Sequence, residues 1–167
     1  MLVSRRSKYI EIVTAERIKW IGVVRGDLAK LTNYVVNYQK ARAIYAQKYK
    51  DMNSYQNEMF DDSGHSSRHN RLEQRQLEID AEQSQKNIEE SPQSNEIIEL
   101  ACLLKLRFNP LDDADIIAIL NSLIKYASEL KPSTKDIDIQ QLIDCSQAVL
   151  KREWDKVKKE TKKWIFV

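Results

Sequence analysis

Two histidines are the first residues to weigh for chemistry. His65 and His69 stand four apart, a spacing that on a helix puts both imidazoles on one face, where they could bind a transition metal with oxygens from Asp61 and Asp62. The surrounding sequence argues against it. Asp61-Asp62-Ser63-Gly64 is the strongest turn signal in the chain, and no glutamate follows the first histidine. The expectation is a solvated polar tip and no metal site. A helical nuclease pair, Arg followed four to six residues later by His, is not met either: Arg68 and His69 are adjacent and no His follows Arg71. No Ser/His/Asp or Cys/His set can be assembled around two histidines in one turn, and nothing selects a pair of carboxylates for acid–base work. We expect no enzyme, no catalytic residue and no cofactor.

Cys102 and Cys145 each stand in an apolar helical context. They read as buried thiols of a cytoplasmic protein and not as a disulfide pair. No run approaches the length of apolar residues that spans a bilayer, and Glu11, Glu16 and Arg17 interrupt any leader-like segment.

Buried charge is a stronger signal. Arg17 falls on the apolar seam of the first helix, and Glu153 on the inward stripe of the last. Each would be costly to bury alone, so the two should meet in an ion pair shielded by Trp20 and Trp154, with Asn109 joining as a cap. Such a knot sets register more than it stabilises. A further cluster lies at the chain ends. Lys158, Lys159, Lys162 and Lys163 lead into Trp164-Ile165-Phe166-Val167, a combination suited to an anionic membrane interface. Arg5, Arg6 and Lys8 should join it, because an even number of antiparallel helices returns both ends to one side.

These residues need elements to hold them, and composition restricts the choice. The 167 residues include three glycines and three prolines, too few to turn the many strands of a sandwich or barrel or to form phosphate loops. The class is all-α: an antiparallel helical bundle with a long projecting coiled-coil-like hairpin, in one domain over 1–167. From near Ser7 to past residue 50, Ile21, Val24, Leu28, Leu31, Val35, Tyr38, Tyr45, Tyr49 and Met52 alternate at spacings of three and four, a heptad seam interrupted only by Arg42. Ile12, Trp20 and Val23 lie off that seam, so the first half of the helix should be buried on several sides. Gly22 and Gly26, weak helix formers, should mark the close approach of another helix. Residues 53–93 are polar and should form hairpin arms and a tip near Gly64, partly disordered. Ser91-Pro92 marks a break. Ile97, Ile98, Ala101, Leu104 and Phe108 line a third helix, stopped by Asn109-Pro110. Asp112 or Asp113 can cap the next, whose face is Ile116, Ile117, Leu120, Leu123, Ile124 and Ala127. A last helix runs from about Asp136 to Lys163.

The net charge of +2 conceals segregation. Residues 1–50 hold eleven Lys/Arg and three Asp/Glu, whereas residues 51–100 hold four and twelve. The basic third should pack beside the acidic one. Nucleic acid is the least favoured partner, because the tyrosines of the basic third follow the seam and do not interleave with exposed cations.

Three stretches resemble a loose group of uncharacterised bacterial helical proteins: Thr14 to Arg25 (TAERIKWIGVVR), Leu103 to Pro110 (LLKLRFNP) and Val149 to Val157 (VLKREWDKV). The matching positions are Arg17, Trp20, Arg25, Asn109, Pro110, Glu153 and Trp154. The resemblance implies a cytoplasmic helical domain, often preceded by a membrane segment that this sequence lacks, and a setting among bacterial mobile-element and phage-defence genes. It implies no activity. The residues themselves point to a non-catalytic scaffold or interaction module acting through a protein partner or as a homo-oligomer. Tyr38, Tyr45, Tyr49 and Met52 form its expected contact seam, since they outnumber the apolar partners available in residues 67–90. The alternatives are a peripheral membrane protein docking through its basic termini and a nucleic-acid binder using the basic third.

Overall fold

The computed structural model describes residues 2–61, 68–89, 92–129 and 137–165, with side chains among these except those of 2–7, 55–61, 68–70, 89 and 163–165. Among the described residues all regular structure is helical: α1 Leu2–Asp61, α2 Arg68–Glu89, α3 Pro92–Arg107, α4 Ala114–Ser128 and α5 Ile139–Ile165. At 1.5 Å per residue the 60 residues of α1 extend about 90 Å. The expected tip at Gly64 lies outside the described residues.

Directions follow from which residues meet. Tyr45 of α1 meets Gln85 of α2 and Asp27 of α1 meets Arg107 of α3, so α2 and α3 run one after the other against α1. Trp20 packs on Phe108 and Tyr38 on Tyr126, so α4 runs parallel to α1. Gln39 reaches the Ile137 carbonyl and Arg17 reaches Glu153, so α5 is antiparallel to α1. The lower half of α1 with α3, α4 and α5 makes a four-helix bundle, and α2 packs on α1.

The heptad seam explains the core. Val24, Leu28, Leu31, Val35 and Tyr38 are buried against Ile97, Ala101 and Leu104 of α3, Ile116, Leu120 and Leu123 of α4, and Leu142 and Val149 of α5. Each large apolar side chain removed from water contributes about 1.5–3 kcal/mol. Pro92 occupies the first position of α3, where its missing N–H costs nothing. Asn109-Pro110 ends α3 as expected: the Asn109 side-chain oxygen accepts the Leu111 N–H at 3.1 Å, and the Asp113 carboxylate accepts the Asn109 N–H at 2.8 Å. Asp113 is the N-cap residue of α4, but its carboxylate turns back to Asn109 and makes no capping bond to the helix.

Two expectations about α1 are corrected. A side chain at Gly22 or Gly26 would meet nothing within 4 Å, so no helix approaches there and both glycines face solvent. Nor is the lower half buried on several sides: Ile12, Ile18 and Val23 are exposed, because α3, α4 and α5 all gather on the seam side of α1.

Candidate functional site: a charged network joining α1, α4 and α5

Arg17 projects from α1 between two carboxylates of α5. Its Nε lies 3.7 Å from Glu153 Oε2, and its Nη1 donates to Glu160. Glu153 serves three cations, since Lys156 donates to it at 2.6 Å and Arg152 Nε stands 3.7 Å away. Arg152 then bridges to the α3–α4 turn, donating to the Asp112 carbonyl at 2.8 Å and pairing with the Asp113 carboxylate. That hydrogen bond to Asp113 raises the arginine's pKa further, which keeps a permanently charged group charged. The chain Glu160, Arg17, Glu153, Arg152, Asp113 therefore staples α5 to α1 on one side and to the start of α4 on the other.

Trp20 and Trp154 do not close over it as expected. Trp20 is half-buried and packs edge-on against Phe108, with ring centroids 6.3 Å apart, while Trp154 is 42% exposed. Asn109 does join the network, at its α4 end: its N–H donates to the Asp113 carboxylate at 2.8 Å and its side-chain amide donates to Asp112 at 3.0 Å, holding the turn. Arg25 is exposed on α1 and takes no part. The network is partly open to solvent, with the Arg17, Glu160 and Arg152 side chains 25%, 31% and 38% exposed.

The tyrosine seam is also corrected as a free contact surface. Tyr38 is fully buried and Tyr45 nearly so. Tyr38 packs edge-on against Tyr126 with centroids 5.7 Å apart, and its hydroxyl donates to the Ala127 carbonyl at 3.5 Å. Burial raises the Tyr38 pKa, with nearby Arg42 acting in the opposite direction. Tyr45 donates to Gln85 at 3.3 Å. For Tyr38 the apolar partner that residues 67–90 lack is supplied by α4. Tyr49 stays 41% exposed and Met52 half-buried.

Arg42, read from the sequence as an interruption, is a buried structural device. Its Nη1 donates to the carbonyls of Tyr126 at 2.8 Å and Glu129 at 3.1 Å, and its guanidinium lies 4.3 Å from the Tyr126 ring centroid. It satisfies carbonyls that the end of α4 leaves without helical partners. The only sequence signal was a charge on an apolar seam; the helix end it serves lies 84 residues away.

Of the terminal cluster, Lys8, Lys158, Lys159 and Lys162 are exposed. The side chains of Arg5, Arg6, Lys163 and Trp164, and all of Phe166, lie outside the described residues, as do the side chains of both histidines. Among the described residues no group of three metal-binding side chains comes together, and no helix is long and apolar enough to cross a membrane. A groove of about 790 Å³ between α4 and α5 is lined by Asp115, Ser122, Lys125, Tyr126, Asp138 and Cys145, among others. Burial, then Asp115 and Asp144, raise the Cys145 pKa, which keeps the sulfur a thiol and a poor nucleophile; Cys102, expected to be buried, is instead exposed, because it stands on the side of α3 turned away from the core residues Ala101 and Leu104. No family model, curated protein or solved structure matches this chain.

Proposed function

We propose that the protein is a non-catalytic helical interaction module that self-associates. The observation that carries this reading is at the α3–α4 corner, where Leu106 is 85% and Leu111 90% exposed. They are not isolated. Leu103, also exposed, stands one turn before Leu106, and Val23 stands one turn before Asp27, which pairs with Arg107. Exposed aliphatic side chains around an ion pair are a surface that a second protein copy can cover. The self-association surface thus moves from the tyrosine seam to this corner. Sedimentation velocity at 10–200 μM tests it (concentrations on the order of a weak interface). A dimer or larger species that Leu106→Glu with Leu111→Glu converts to monomer is the expected result; a monomer at every concentration overturns the reading. The bacterial defence or mobile-element setting implied by the resemblance is checked by the genes that neighbour this one.

One observation favours a second reading. Tyr9 and Ile12 are exposed beside Lys8, at the end of α1 that lies against the Lys158, Lys159 and Lys162 end of α5. Aromatic and aliphatic groups among lysines suit an anionic lipid surface. Co-sedimentation with anionic vesicles would lose this reading if the full chain and a form lacking residues 162–167 pelleted equally.

A further inference from the structure

The outward side of α1 carries a second surface, independent of the leucine corner. With the seam residues Ile21, Val24, Leu28, Leu31, Val35, Tyr38, Arg42 and Tyr45 turned inward, the positions opposite them between Lys19 and Lys50 point to solvent. Lys19, Lys30, Lys40 and Lys50 occupy that row, and Arg25 and Lys48 flank it. None of the six pairs with any described residue. The one acid in the stretch, Asp27, is taken by Arg107, and the next, Asp51, lies beyond Lys50. The described acids of α2 do not neutralise the row: α2 itself holds four cations against five acids, and none of the six row cations pairs with a described acid of that helix. The basic and acidic thirds do pack side by side as expected, α2 lying on α1, but that packing leaves the outward row uncovered.

We propose that this row binds the phosphate backbone of a nucleic-acid duplex. Its span of 31 residues is about 46 Å, past one 34–36 Å turn of duplex, and one unbroken helix holds the cations in place. Gly22, Gly26 and Ala29 leave the lower part of the face free of large side chains, with open space above both glycines. Asn33, exposed in the same row, adds an uncharged donor suited to phosphate oxygens.

The absence of aromatic residues from these outward positions, which first counted against nucleic acid, decides which kind is bound. Single strands are held largely by stacking on several aromatic rings, whereas the row has beside it one exposed ring, Tyr49 at its end, which already packs against Tyr45; phosphate contact needs only cations. A lipid surface fits less well: Val23 and Ile44 are the exposed large aliphatic groups along the row, too few to insert as an amphipathic helix does. A protein partner would need buried anchors that the row does not supply.

Fluorescence anisotropy with a labelled random-sequence 30-base-pair duplex (about three turns) tests the proposal on the full chain. Four to six phosphate contacts predict that log K falls against log salt with a slope of about −4 to −5. Lys30→Gln with Lys40→Gln and Lys50→Gln should flatten that slope by about 2.7 and weaken binding at low salt by more than tenfold, with unchanged circular dichroism and melting because the three residues are exposed. Lys159→Gln with Lys162→Gln should leave the slope unchanged. The proposal is overturned if no saturable binding occurs at low salt, if the α1 triple variant binds like the parent, if the α5 variant takes the loss, if a single strand binds more tightly than the duplex, or if anionic vesicles bind and the duplex does not.

Discussion

The guanidinium of Arg42 lies 4.3 Å from the ring of Tyr126 and donates to the carbonyl of that same residue. One α1 side chain thereby holds both the ring and the backbone at the end of α4. Arg42→Leu removes the donor and leaves buried carbonyls short of a partner, so chemical denaturation should show a loss of about 2–4 kcal/mol. Arg42→Lys should recover less than half of it, since a point charge cannot both stack and span two carbonyls. Full recovery by lysine would show that charge alone matters there.

Glu153 links three cations, and Arg17 links two acids. The groups are partly exposed, so a double-mutant cycle of Arg17→Gln and Glu153→Gln should give a coupling of about 0.5–1 kcal/mol. Molar salt should reduce it. Glu153→Gln should cost more than Arg17→Gln, because it also leaves Arg152 and Lys156 without that carboxylate. A coupling of zero would mean that the pair at 3.7 Å contributes nothing to holding α5 on α1.

Gly22 and Gly26 have open space where a side chain would go. Each change to alanine should raise stability by about 0.5–1 kcal/mol through better helix propensity and a less flexible unfolded chain. The two should add to a rise of a few degrees in the melting temperature. A drop in melting temperature would mean that something packs against that face after all.

Burial holds the Tyr38 hydroxyl neutral above its usual pKa of 10.0. Between the unfolded and folded values the native state keeps a proton that the unfolded state has lost, so stability is fully present below about pH 10 and declines as pH rises through the folded pKa. Tyr38→Phe should remove part of that alkaline decline while changing stability little at pH 7, since the hydroxyl makes one long bond of 3.5 Å. An unchanged alkaline slope in the variant would assign the decline to other groups.

Local chemistry by itself determined the class and the order of elements. The spacing of three and four from Ile21 to Met52 specifies a helix with one apolar edge, and Asn109-Pro110 and Pro92 place helix ends, because periodicity and proline geometry act within a few residues. The Arg17–Glu153 approach was legible as well, since a charge on an apolar stripe needs a partner. Which surface covers each edge was decided only by the tertiary structure. Tyr38 and Tyr45 looked surplus because α2 is polar, yet α4 arrives from far along the chain to bury Tyr38. Arg42 looked like a flaw until the end of α4 was placed beside it. The two glycines looked like a contact and face water. The basic third packs beside the acidic one as its charge suggested, yet six of its cations pair with no described acid. In each case the pattern along one helix gives the direction a side chain points, while the partner depends on how distant helices pack, and that is settled by the summed burial of the whole core.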